Sequence, residues 1–117
     1  MIRLTLPWWP KELKANGGFG NRFAHHRAAK KYKSDCGFLS KDQGLGPLDA
    51  ARLKLTFEFR PKTRNLPDKD NCVHSCKYLI DAIAAVTGID DSKFDYGEHT
   101  IGEPVKGGAV LVDIEEG

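Results

Sequence analysis

From Asn71 to Thr87 the apolar residues Cys72, Cys76, Leu79, Ile80, Ile83 and Val86 recur at the three- and four-residue spacing of a buried helix face. Pro67 pushes Leu66 toward an extended conformation, so a new element starts after it. Asp70 or Asn71 is placed to cap the helix, and Gly88 to end it. At about 100° per residue, Asp70, His74, Lys77 and Asp81 fall in one narrow lengthwise strip opposite the apolar face. A helix this apolar must lie on a core, and the rest of the chain has to supply that core.

The thin ionisable strip is flanked by further carboxylates: Asp68 and Asp70 at the helix start, Asp90 and Asp91 beyond Gly88. One reading makes Asp68 and Asp70 turn and capping residues and Lys77/Asp81 a surface i,i+4 pair. The other has the two acidic groups converge as the helix packs beside its following turn. Carboxylates closing on one point repel each other, and a hard cation such as Mg²⁺ relieves that repulsion. A lysine on the same strip then offsets charge developing on a bound phosphate. Zinc at Cys72, His74 and Cys76 is disfavoured, because on a helix the cysteines point to the core and His74 the opposite way.

The remaining segments describe one domain. Of 117 residues, 40% are hydrophobic and 29% charged, which suits a single soluble core. The longest apolar run is far short of a membrane span and no charged-then-apolar leader opens the chain, so the cytoplasm is the expected compartment. Three cysteines, two of them one helical turn apart, are expected as reduced, buried thiols. Ile2 to Leu6 alternates as a strand, and Pro7-Trp8-Trp9-Pro10 ends it; core packing is the commoner use of such a tryptophan pair, base stacking or an interface the alternative. Lys11 to Gly20 is expected as a loop, Asn21 to Cys36 as a basic helix and residues 37–50 as a second loop. Arg52 to Arg60 alternates cleanly, with Leu53, Leu55, Phe57 and Phe59 inward. Lys93 to Ile101 and Ala109 to Glu115 complete the strands around a Lys106-Gly107-Gly108 turn. The order β-α-β-α-β-β predicts an α+β fold: one small mixed sheet of about four strands with two main helices, mainly on one face.

Charge is divided unevenly. Residues 1–66 hold 14 Lys/Arg against 5 Asp/Glu, a net +9, and residues 67–117 hold 4 against 11, a net −7. Such asymmetry suits a polyanion-binding part beside an acidic, metal-holding part, or two halves that neutralise each other within the fold or across a dimer. On the basic helix Arg22, His25, His26, Arg27, Lys30, Lys31 and Lys33 have no acid between them, which favours phosphate contact over a merely solvated face. Lys62 and Arg64 form a basic approach to the acidic stretch, and Lys69 stands within it.

Taken together, Thr5-Leu6-Pro7-Trp8, Asp68-x-Asp70-Asn71, a helix with Lys77 and Asp81-Ala82-Ile83, Gly88 then Asp90-Asp91, and the Lys106-Gly107-Gly108 turn resemble the RusA family of Holliday junction resolvases. The match runs over nearly the whole chain and is strongest from Asp68 to Asp91. The resemblance implies a homodimeric, Mg²⁺-dependent endonuclease of the phage and prophage type, with Mn²⁺ as a substitute, that nicks four-way junction DNA in recombination and repair. It implies Asp68, Asp70 and Asp91 as metal ligands and catalytic residues, with Asn71 and Asp90 as accessories. The family lysine usually stands three residues after the motif asparagine, where this chain has His74; Lys77 keeps the family's four-residue spacing to Asp81. Lys77 is the preferred candidate, because a lysine stays charged near neutral pH and a histidine only partly so. Arg22, Arg27, Lys30, Lys31, Arg64 and Lys69 are the expected DNA contacts. A binding module for branched DNA that does not cut, and an interaction domain whose acids are caps, are the alternatives. No nucleotide cofactor and no membrane role are indicated.

Overall fold

The computed structural model describes residues 1–13, 22–64 and 69–117, with only the backbone of 69–71. Its elements are β1 (Ile2–Pro7), a 3₁₀ turn (Lys11–Leu13), α1 (Arg22–Asp42), β2 (Leu53–Arg60), α2 (Lys69–Ser75), α3 (Lys77–Thr87), a second 3₁₀ turn (Asp91–Lys93), β3 (Phe94–Tyr96), β4 (Thr100–Ile101) and β5 (Ala109–Glu116). The sheet is mixed and five-stranded, in the order β1-β5-β2-β3, with β4 also on β2. β5 pairs antiparallel with both β1 and β2, whereas β3 and β4 run parallel to β2.

Register explains why the helices take one face. Leu4 pairs with Val112 and Val112 with Phe57; Leu6 pairs with Val110 and Val110 with Phe59. Cross-strand partners share a face, so the alternation of β2 extends into one continuous apolar surface. The opposite face carries Arg3, Thr5, Lys54, Thr56, Glu58 and Asp113 and stays largely polar. A single apolar cluster joins the first surface to Tyr32 and Cys36 of α1 and to Cys72, Cys76, Leu79, Ile83 and Val86 of the α2–α3 region. The expected α+β architecture with two main helical segments on one face is therefore observed, and the sheet has one more strand than expected.

Three boundaries differ from the sequence-based expectation. α1 continues through Gly37 to Asp42, where a loop was expected. Its buried stripe is Ala29, Tyr32, Cys36 and Ser40, while Phe23 is exposed. The extension places Gln43 beside the outer edge of β1: its side chain accepts from Thr5 N–H at 2.7 Å and donates to Thr5 C=O at 2.8 Å. An edge strand's unpaired backbone is thereby satisfied by a side chain. The helix expected over 71–87 is divided at Cys76, whose N–H donates to Val73 C=O at 3.0 Å, a 3₁₀-type bond that tightens the turn between α2 and α3. The strand expected over 93–101 is two short ones. Between them Gly97 donates to Leu55 C=O at 2.9 Å, and a Cβ at Gly97 would stand 2.4 Å from Thr56 Oγ1, so only glycine fits.

The tryptophans pack. Trp9 is buried, stacks on Trp8 at 4.0 Å between centroids and meets Phe59 edge-on at 6.0 Å. Two ion pairs, Arg3–Asp113 at 2.8 Å and Arg52–Asp95 at 3.0 Å, join the basic and acidic halves of the sequence within the fold. Among the described residues no helix is long and apolar enough to cross a membrane.

Candidate active site

Where α3 ends, several constraints combine to fix the chain's direction. Gly88 takes a left-handed φ of 77° and donates to Ala84 C=O at 2.9 Å. The buried Thr87 hydroxyl donates to Ile83 C=O at 2.8 Å and accepts from Ile89 N–H at 3.3 Å. Asp90 then caps the 3₁₀ turn, its carboxylate accepting from Ser92 N–H at 3.0 Å. Hydrogen bonds from Ser92, side chain and backbone, hold the Asp90 carboxyl below the usual carboxylate range. Asp90 thus caps the turn that leads into Asp91.

Asp91, the next residue, faces back toward the helices. It lines a depression of about 400 Å³ together with Val73, His74, Lys77, Ile80, Asp81 and Tyr96. The strip anticipated along the helix is preserved across the tightened turn at Cys76: His74 from α2 and Lys77 and Asp81 from α3 reach one surface. His74 and Lys77 are exposed there, while Cys72 and Cys76 are fully buried on the other side. That separation agrees with the sequence argument against a zinc site on Cys72, His74 and Cys76.

Two members of this surface were given no metal-binding, catalytic or DNA-contact role from sequence. Asp81 was placed on the ionisable strip, and Tyr96 was read only as part of a strand. Tyr96 stacks on Phe57 at 6.3 Å between centroids, so it projects from the sheet edge on the helix-bearing face. Its phenol is raised above the ordinary tyrosine range, by burial first and then by the charges of Asp91 and Asp81. Two carboxylates therefore act electrostatically on one hydroxyl group. The sequence signal for Asp81 was its place on the strip four residues after Lys77; for Tyr96 only strand alternation was available.

Lys77 places its ammonium 5.7 Å from the centroid of the Tyr78 ring. The Tyr78 hydroxyl lies 3.5 Å from His25 Nε2, and His25 Nδ1 lies 2.8 Å from the Glu12 carbonyl oxygen. A carbonyl accepts only, so Nδ1 carries the proton, and in the neutral ring Nε2 is left to accept from Tyr78. His25, expected among the phosphate contacts of α1, instead ties this helix to the first 3₁₀ turn and to α3.

The remaining basic residues of α1 divide between two sides. Arg27 and Lys31 line a depression beside Trp8, Trp9 and Lys62, where Lys31 pairs with Asp35 at 2.8 Å. Lys30 and Lys33 face α3. The basic residues of this helix therefore stand beside two separate depressions. Arg22, His26, Arg27 and Arg64 are exposed. Asp68 lies outside the described residues, and so do the side chains of Lys69, Asp70 and Asn71. Asp70 does lie in the first turn of α2.

The donor set matches a hard cation in kind. Asp81 and Asp91 bring carboxylate oxygens, the donor type of hard cations, to one surface, and the thiols are elsewhere, buried. Among the described residues no three His, Cys, Asp or Glu side chains form a metal-sized group.

No family model matches this chain. A relative from Xylella fastidiosa (strain Temecula1 / ATCC 700964), described as an uncharacterized protein, is 37% identical over 100 residues, 80% of this chain and 63% of the relative. The chain thus spans less than two thirds of that relative's length.

Proposed function

We propose that this chain is the subunit of a homodimeric, Mg²⁺-dependent endonuclease that resolves four-way DNA junctions by paired nicks, as its resemblance to the RusA family implies. One observation carries the reading. Asp91, from the turn after α3, lines the same depression as His74, Lys77 and Asp81, so an acid and a base from separate elements meet on one open surface.

Asp91 with Asp68 and Asp70 would hold the cation, and Asp81 adds a fourth carboxylate that the resemblance alone did not assign. When bound, Mg²⁺ or Mn²⁺ supplies polarisation of the scissile phosphate and a lowered pKa for the attacking water. The chain's own contribution is placement. The Thr87–Gly88–Asp90 turn fixes Asp91. Lys77 leaves the Tyr78 ring to offset charge on the phosphate as the water attacks in line and the 3′ oxygen departs, leaving a 5′ phosphate. His74 stands close enough to share that task. Arg22, Arg27, Lys31, Arg64 and Lys69 would hold the arms by phosphate contacts, which makes binding steeply salt-dependent. A two-fold dimer matches a two-fold junction in which two strands of opposite polarity are cut.

The position of Lys77 over Tyr78, with His74 at the family's lysine position, favours one second reading: a branched-DNA-binding module with little or no cleavage. An end-labelled immobile junction incubated with and without Mg²⁺, beside a linear duplex of the same arm sequence, separates the two. Paired nicks in the junction alone are the expected result. Salt-dependent binding without nicks would establish the second reading, and no binding at all would overturn both.

A further inference from the structure

On the side of α3 facing α1, the two helices leave a groove of about 500 Å³. Its floor is apolar. α3 supplies Ala82, Ala85 and Val86, and α1 supplies Gly37 and Phe38. A Cβ at Gly37 would stand 3.9 Å from Val86 Cγ2, in ordinary van der Waals contact, so the glycine leaves that part of the floor open. Phe38 is 70% exposed, which leaves most of an aromatic side chain in water at the groove's edge. Its rim is cationic: Lys30 and Lys33 stand about one turn apart on α1 and Lys41 about two turns further on, and among the described residues no carboxylate lines the groove. Among the described residues none of these three lysines is in an ion pair.

We propose that this groove docks an acidic amphipathic helix of a partner protein. A helix seated between two others buries apolar side chains at i, i+3, i+4 and i+7 along the floor, with its flanks against the rim. Phe38 gains the cover it lacks, and three lysines gain carboxylates. Charge separates this occupant from the others. A second copy related by a two-fold axis would set lysine rim against lysine rim, a like-charge contact that costs affinity. A phosphate backbone satisfies the lysines but offers nothing to Phe38, Ala85 and Val86. The groove and the Asp91 depression are distinct surfaces, so this inference stands apart from the nuclease reading.

The test uses the isotope-labelled full chain and two synthetic helical peptides of about 18 residues, long enough for several turns. Both carry Leu and Phe anchors at the stated spacing; one has Glu on its flanks, the other Lys. A short DNA duplex is the third probe. The acidic peptide is expected to bind saturably by fluorescence anisotropy, to shift amides of α1 and α3 around Phe38 and Ala85, and to weaken with salt. Phe38→Ser and Lys33→Glu/Lys41→Glu should each reduce its affinity by about tenfold or more, the equivalent of one or more well-made contacts. Ala85→Arg, which fills the groove from an exposed position, should do the same while thermal melting shows each variant folded. Equal affinity for the two peptides, or no amide shifts at the groove, would overturn the proposal. So would groove shifts caused by the duplex alone, or a concentration-dependent dimer that Phe38→Ser disperses.

Discussion

The two surfaces of α3 are built from opposite materials. Toward Tyr96 the helix presents its own charged side chains, Lys77 and Asp81, and gains a third from Asp91. In the groove beside α1 it presents Ala82, Ala85 and Val86, and the charges around them belong to the other helix. A surface holding both signs can position and stabilise charge that develops there. An apolar trough edged with one sign recognises shape and complementary charge, and has nothing with which to move a proton. One helix thus separates a chemical surface from a recognition surface, and its buried stripe of Leu79, Ile83 and Val86 holds both in fixed relation to the sheet.

The comparison can be broken most directly at adjacent aspartates. Asp91→Asn should lower junction nicking by about 10²-fold or more, because it removes a carboxylate from the charged surface. Asp90→Asn should leave nicking measurable, since its carboxylate serves the turn. Equal losses would mean that the two acids act as one unit. The next effect is on stability and separates core from surface aromatics. Phe57→Ala, at 1% exposure, should cost about 3–5 kcal/mol in urea denaturation, and Phe38→Ala less than about 0.5 kcal/mol. Lys77→Ala is expected to slow nicking by about tenfold or more in single-turnover assays, with His74→Ala slowing it less. The reverse order would hand the cationic role to His74.

Two smaller effects probe the environments themselves. Burial pushes the Cys36 thiol up to about 12 and the Cys76 thiol well above its usual range. Thiolate is the reactive form, so alkylation of the folded chain near pH 8 should be slow and should become rapid on unfolding. Tyr96 gives the finest test. Its phenol is raised by burial and then by Asp91 and Asp81, so Asp91→Asn should let it ionise at lower pH. An unchanged ultraviolet titration would place Asp91 away from Tyr96 and dissolve the depression as a unit.

Much of this could be read in the sequence, because it depends on local periodicity. The period-two pattern of Leu53, Leu55, Phe57 and Phe59 gave β2 its buried face, and the helical spacing of Cys72, Cys76, Leu79 and Ile83 gave the second. What escaped the sequence depends on contacts distant along the chain. Residues 37–50 were expected as a loop, yet α1 continues to Asp42, with Ser40 in its buried stripe and Gln43 bonded to the edge of β1. The tightened turn at Cys76 replaces an i→i+4 bond by an i→i+3 bond, a change that a hydrophobic pattern does not register. His25 carries the same residue type as His26, and only the positions of Glu12 and Tyr78 distinguish their tasks. Tyr96 joined the candidate site through the parallel pairing of β2 with β3, which sequence order does not disclose.

That pairing scheme also governs how the chain can be made. β5 lies between β1 and β2, and its residue Asp113 pairs with Arg3 across a separation of 110 positions. During synthesis β1 emerges first yet has no strand neighbour until residues 109–116 leave the ribosome. Until then the apolar sides of β1 and β2 lack the strand that joins them, while α1, α2 and α3 are already free to form. Closing this sheet requires a central strand that is made after both of its neighbours, and until then only the helices are available to cover Leu4, Leu6, Phe57 and Phe59.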